Sequence, residues 1–261
     1  LTESRFDATV HDLLWRLVPD SIYRRLRTWR PVRVQGRTFR IPETAGLHVP
    51  AASLDQRWRR ELIGNMVPDR EGHFIDVGAR LGEVLVDQQS AVPTLRYVGF
   101  EPDPARAQYV SDLIRMNSLS SAQVLPTALT EGAAFDEIRA TVAPGRVRLV
   151  NIRVGGAEAE VLWGMRATLR TDRPVLLGEV RFAVAEQDRA AERERKQAME
   201  EVLREYCYVI LQLVINGQGD IVGGARVREF PLAVESPANR LQRDYLMLPL
   251  EELDRLKRHL Y

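Results

Sequence analysis

The segment FIDVGARLGEVLV, residues 74–86, carries an apolar strand pattern into a glycine-containing turn and then into a helical pattern. Glycines in such a turn let a ligand approach the main chain, and the start of the helix offers N–H groups that have no partner within the helix. Gly78 and Gly82 are spaced for that task, with Asp76, Ala79 and Arg80 beside them. Twenty-three residues after Gly78 a second apolar run ends in Glu101, followed by Pro102 and Asp103. A carboxylate there accepts hydrogen bonds from a ribose diol. Together these features predict an adenosine-containing ligand. The spacing G-x-x-x-G departs from the G-x-G-x-x-G of dinucleotide sites, so S-adenosylmethionine fits better than a nicotinamide cofactor.

Methyl transfer to a hydroxyl needs the donor carbon in line with the oxygen and a group to take the proton. Glu179, at the end of PVLLGEV, and Glu158, at the start of the helix after VRLVNIRV, are the carboxylates best placed to be catalytic. Each has a plainer reading. Glu158 near a helix N-terminus stabilises the helix, and Glu179 at the end of a buried strand calls for a partner such as Arg181 or a substrate. His48 and His73 read as loop or packing residues, and Trp58 and Trp163 as packing residues that could also stack on a sugar ring. Neither H-x-x-x-H nor C-x-x-C spacing occurs, so no metal is expected.

Positioning these residues requires alternating strands and helices. From His73 onward short apolar runs alternate with helical patterns: HFIDVGA, then 82–90; LRYVGFE, then 104–117; AQVLPTAL; VRLVNIRV, then 157–169; PVLLGEV, then 186–205. That alternation predicts an α/β domain over 69–261, a doubly wound parallel sheet covered by helices on both faces. YVILQLVI and RDYLMLPL flank a glycine-rich turn region and a loop without a crossover helix, which predicts an antiparallel end to the sheet. Upstream, residues 1–68 read as helices around a hairpin: a helix within Ser4–Trp29, two β arms around Gln35-Gly36, and an amphipathic helix over Leu54–Met66. This segment is expected to cover the pocket.

The 261 residues carry a formal charge of +1, which provides no overall field for nucleic acid or an anionic membrane, so nucleic acid is a disfavoured partner. Locally, Arg16 to Arg40 holds eight arginines against the single acid Asp20, either a phosphate-facing stretch or a solvated face. The longest apolar stretch, Tyr206 to Ile215, is too short to span a bilayer. With no secretory layout at the start and one cysteine, Cys207, read as a packing residue, the chain is expected to be cytoplasmic.

From about Pro31 to Leu250 the sequence resembles the FkbM family of S-adenosylmethionine-dependent methyltransferases. The family's I-D-V-G-A-N-x-G is matched by Ile75-Asp76-Val77-Gly78-Ala79-Arg80-Leu81-Gly82, and its E-P block by Glu101-Pro102. Val124 to Gly132 looks like the stretch after the third strand, which implies that Ala128 and Leu129 flank the adenine, with Asp103 at its border. The block K-I-D-V-E-G-x-E stands here as Asn151-Ile152-Arg153-Val154-Gly155-Gly156-Ala157-Glu158. Pro174 to Glu179 and Asp244 to Leu246 match the last blocks. The resemblance implies a Rossmann-like class I methyltransferase sheet. It also implies O-methylation of a small-molecule or glycan acceptor, a hydroxyl of a glycan or secondary-metabolite intermediate, with Asn151 and Arg153 on the substrate side.

Four positions depart from the pattern in a way that bears on chemistry. Lys, Asp and Glu of the fourth-strand block are replaced by Asn151, Arg153 and Gly155, and Arg80 replaces Asn. The Arg80 position calls for a left-handed backbone, and its guanidinium would either reach the methionine carboxylate or pair with Glu101 or Asp103 and plug the pocket. The substitutions leave a second reading open, a methyltransferase fold kept as a binding or scaffold module. A third, RNA methylation, ranks last because no N-P-P-Y or D-P-P-Y block follows the fourth strand.

Overall fold

The computed structural model describes residues 28–44, 46–50, 53–54, 56–67, 71–129, 134–236 and 243–253. The helix expected within Ser4–Trp29 lies outside these residues except for Thr28 and Trp29, and Trp29 opens a strand instead. β1 (Trp29–Val34) and β2 (Arg37–Pro42) pair antiparallel. The turn between them is Gln35-Gly36, with φ of 47° and 80°, the two positive values that match a two-residue turn to the twist of a hairpin. α1 (Arg57–Met66) follows.

The main sheet is built from β3 (His73–Val77), β4 (Arg96–Phe100), β5 (Ala122–Leu125), β6 (Val147–Ile152), β7 (Val175–Glu179), β8 (Tyr208–Ile215), β9 (Ile221–Val227) and β10 (Asp244–Pro249), in the order β5-β4-β3-β6-β7-β10-β8-β9. β3 to β7 pair in parallel, while β10 runs antiparallel between β7 and β8. The sheet is thus doubly wound, Rossmann-like and mostly parallel, with the expected antiparallel C-terminal strand. β9 corrects the expectation in one respect: the glycine-rich stretch that reads as a turn is an edge strand paired to β8. Main-chain pairing tolerates Gly223 and Gly224 at an edge where no side chain is required to fill a core.

The connecting helices are α2 (Glu83–Ala91), α3 (Pro104–Met116), α4 (Phe135–Val142), α5 (Glu158–Gly164), α6 (Arg166–Thr171) and α7 (Arg189–Glu205). Period-2 alternation sends Phe74, Tyr97, Leu149 and Leu177 to one face, with α1, α2 and α3, and Ile75, Val98, Val150 and Leu176 to the other, with α4 to α7. α4 has no counterpart in the sequence reading. Its Asp136 carboxylate accepts from the Ala167 N–H at 2.7 Å and the Thr168 N–H at 3.1 Å, capping α6 from another helix. This foreign cap explains why the run over 157–169, read as one helix, is divided at Met165.

The described residues before His73 are part of the same core. Val34, Phe39, Ile41, Trp58, Leu62 and Ile63 are buried in one cluster with Leu85, Val110, Leu211 and Leu246. The hairpin lies on α3, where the Tyr109 hydroxyl donates to the Pro42 carbonyl at 3.0 Å and Asn117 exchanges hydrogen bonds with the Arg40 main chain at 2.8 Å. Among the hairpin arginines, Arg30, Arg37 and Arg40 donate to the carbonyls of Val49, Gln89 and Met116, which commits them to the protein itself. α1 is locked to α2 by two buried arginines, Arg59 and Arg60, that share the fully buried Asp87. Cys207 is exposed and left-handed at φ 56°, just after the end of α7, so it ends a helix and does not pack in the core.

Candidate functional site

The strand order reverses between β3 and β6, the place where ligands bind in open α/β sheets. A cavity of about 360 Å³ opens there. Gly78, Arg80, Glu101, Pro102 and Arg106 form one wall, and Arg153, Val154, Gly155, Glu179 and Arg181 the other. The cavity therefore brings together much of what the sequence reading singled out, and none of its wall comes from described residues before Gly78.

The turn has glycine where a side chain would not fit. Gly78 has φ of 87°, and a Cβ on it would lie 2.4 Å from the Arg153 carbonyl oxygen. Gly82, at φ 83° just before α2, would place a Cβ 2.6 Å from Leu113 Cδ2, so its absent side chain lets α2 pack on α3. Arg80 adopts φ of 51°, the left-handed conformation anticipated for that position. Its side chain is exposed at the wall, and it meets Glu101 through the main chain: the Arg80 N–H donates to Glu101 Oε2 at 2.8 Å. Glu101 Oε1 accepts from the Asp103 N–H at 3.2 Å and lies 3.9 Å from the Arg106 guanidinium.

Asp76 and Asn151 lie beneath this floor. Both are buried; Asp76 accepts from the Tyr97 hydroxyl at 2.5 Å and from Asn151 Nδ2 at 2.7 Å. Burial pushes the Asp76 carboxyl above its usual range, against the pull of those two hydrogen bonds. Neither side chain lines the cavity, which corrects the expectation that Asn151 faces the acceptor: it stands in register with Asp76 on the adjoining strand and pairs with it. Ala79 is buried beside Gly99 and likewise does not line the cavity. Asp103 caps α3, accepting from the Arg106 N–H at 3.0 Å. Leu129 is a core residue, and Ala128 is exposed outside the cavity wall.

Of the two expected catalytic carboxylates, Glu158 turns back on its own helix, accepting from the Gly156 N–H at 3.0 Å with both oxygens, and does not line the cavity. Glu179 does line it, but Arg153 holds it, donating from Nη2 at 2.7 Å and Nε at 3.1 Å. Burial opposes ionisation of Glu179, yet Arg153, Arg181 and Arg243 outweigh it and keep the carboxyl below its usual range. Such a group is a weak base. Sequence reasoning missed Arg106, which reaches the wall because α3 starts at Pro104, and Asp244, paired in register with Glu179 on β10. Burial pushes the Asp244 carboxyl up to about 6, Glu179 adding to the rise and Arg153 opposing it. The helical spacing of Arg106 was the available signal for the first, and strand pairing, invisible in sequence, was needed for the second.

His73, at the opposite end of β3, is buried with Nδ1 unbonded among the described residues, and burial lowers its affinity for a proton. Among the described residues no group of three or more His, Cys, Asp or Glu is placed to hold a metal ion, and no helix is long and apolar enough to cross a membrane.

No family model matches the sequence, and no curated protein matches it. Among solved structures, similarity is found to fibrillarin of Aeropyrum pernix with natively bound S-adenosyl-L-methionine, at 14% identity over 84% of this chain and 81% of that one, with a TM-score of 0.49. A methyltransferase FkbM from Methylobacillus flagellatus KT is similar at 16% identity over 69% of this chain and 44% of that one, TM-score 0.47. Precorrin-6y C5,15-methyltransferase from Geobacter metallireducens GS-15 is similar at 13% identity over 79% and 91%, TM-score 0.45. At such identities and scores none of them assigns an activity to this chain.

Proposed function

We propose that this chain is an S-adenosylmethionine-dependent O-methyltransferase acting on a hydroxyl of a glycan or secondary-metabolite intermediate. The observation that carries the reading is the convergence of Gly78 and Glu101 on one cavity at the reversal point of the strand order. The residues fit the cofactor. The Gly78 turn leaves room for a ligand against the main chain, and Glu101, with each oxygen accepting one main-chain hydrogen bond, keeps lone pairs for a ribose diol. Arg80, with its guanidinium exposed at the same wall, suits the methionine carboxylate. When bound, the cofactor supplies an electrophilic methyl group.

What the chain's own residues supply is positioning. Asp76, pinned by Tyr97 and Asn151, fixes β3 to its neighbours beneath the turn, and the Arg153–Glu179 pair fixes the ends of β6 and β7. Glu179, tied to Arg153, holds the acceptor wall in shape and is not the base. Holding reactants in line accounts for a large part of the barrier in such transfers. Isothermal titration with S-adenosylmethionine and S-adenosylhomocysteine tests the reading. Micromolar binding, roughly −8 kcal/mol, that is lost in Glu101→Ala supports it, and no heat with no thermal shift at millimolar ligand sinks it. The Arg153–Glu179 pair also favours a second reading, a scaffold without catalysis. Restoring Arg153→Asp and Gly155→Glu together discriminates, since activity gained only in that variant would mean the chemistry had been lost.

A further inference from the structure

The cavity wall carries four guanidinium groups, Arg80, Arg106, Arg153 and Arg181, against two carboxylates, Glu101 and Glu179. Both carboxylates are already engaged, Glu101 by two main-chain N–H groups and Glu179 by Arg153. The cavity is therefore positive in net charge, in a protein whose overall charge is only +1.

Each wall carries two guanidinium groups and one carboxylate, and on the wall of Arg153 and Arg181 part of the donor set is left unspent. The Arg181 guanidinium lies over Gly155, where an added Cβ would sit 3.4 Å from its Cζ and Nη1. Gly155 itself is left-handed at φ 69°, so this position suits glycine both for its backbone and for the guanidinium packed above it. Arg181 is exposed, and its guanidinium enters no ion pair or hydrogen bond among the described residues. On the same wall, Arg153 spends Nε and Nη2 on Glu179 and leaves Nη1 without a hydrogen-bond partner among the described residues. Two guanidinium groups with unspent donors lining one partly enclosed cavity are an arrangement that can recognise a carboxylate or phosphate by charge-assisted hydrogen bonds.

We infer that the acceptor is an acidic molecule, carrying a phosphate or carboxylate that docks on Arg181 and Arg153 and so presents its hydroxyl to the cavity. This deepens the methyltransferase reading and rests on it. It narrows the acceptor class from any hydroxylated metabolite to sugar phosphates, uronic acids and comparable anionic compounds, and it gives the replacement of an acid by Arg153 a purpose.

The test uses the full chain saturated with S-adenosylhomocysteine and titrated at low salt with glucose 6-phosphate, glucuronate and, as an uncharged control, glucose. The expected result is binding of at least one anionic sugar and not of glucose, weakened about tenfold or more by Arg181→Gln, with S-adenosylhomocysteine affinity unchanged. Arg96→Gln, at the far end of the sheet, should alter neither. Preference between the two anions separates phosphate from carboxylate. Binding of S-adenosylhomocysteine with no anionic sugar bound, or with binding unaltered in Arg181→Gln, overturns the inference and leaves the cofactor reading standing. An Arg181→Gln variant that loses S-adenosylhomocysteine also overturns it, since Arg181 would then serve the cofactor. Anion binding that depends on Arg181 in a chain that does not bind S-adenosylhomocysteine supports the anion site and removes the methyltransferase reading.

Discussion

Arg153 grips Glu179 across the carboxyl ends of β6 and β7 with two donors on a single oxygen, Nη2 at 2.7 Å and Nε at 3.1 Å. Each side chain is less than a quarter exposed. Arg153→Ala should cost about 2 kcal/mol of stability, because a largely buried carboxylate loses its hydrogen-bonded partner and keeps only the weaker attraction of Arg243 at 3.7 Å and of Arg181. Urea denaturation of the variant at neutral pH measures it, and an unchanged midpoint would show that Arg243 suffices.

Asp87 sits fully buried between Arg59 and Arg60. Asp87→Asn should destabilise by about 3–5 kcal/mol, since it leaves buried guanidinium groups without a countercharge. Thermal unfolding reports this, and a loss under 1 kcal/mol would mean that other groups neutralise the two arginines.

The raised Asp244 carboxyl gives stability a pH dependence of defined sign. The folded state binds this proton more tightly than the unfolded chain, so its contribution is complete below the ordinary carboxyl range and is lost as pH rises through about 6. Asp244→Asn should remove that loss, gaining about 2 kcal/mol over the native chain between pH 4 and pH 8. Denaturation at several pH values tests it; a variant whose stability runs parallel to the native chain's would contradict the assignment.

Arg80 should separate stability from ligand binding. Asn tolerates the left-handed backbone better than Arg, so Arg80→Asn is expected to raise stability by about 0.5 kcal/mol. If the guanidinium holds the methionine carboxylate, the same variant should bind S-adenosylhomocysteine about tenfold more weakly. Paired calorimetry and denaturation would show the two effects with opposite signs.

Residues whose role is set by local geometry were readable in the sequence. Gln35-Gly36 as a hairpin turn, the left-handed demand at Arg80, and the alternation that builds the parallel sheet all follow from backbone sterics and periodicity. Roles that depend on a partner distant in sequence were not. Asn151 faces Asp76 because β6 adjoins β3 in that register, Asp136 caps a helix some thirty residues away, and Glu179 is disarmed by Arg153. The hairpin's own pattern likewise does not reveal that Phe39 and Ile41 enter the core shared with α3.

α1, the first described helix, buries Leu62 and Ile63 in the same cluster as Leu246 and Leu248 of β10, the last described strand. During synthesis the early helix emerges from the ribosome long before the strand that completes its apolar seat. Until β10 slots between β7 and β8, neither the helix nor the sheet edge is closed, and both remain exposed to wrong partners. Native structure is therefore completed only once β10 has emerged, in a step that joins elements far apart in sequence, and a nascent chain stalled before β10 is a natural client for chaperones.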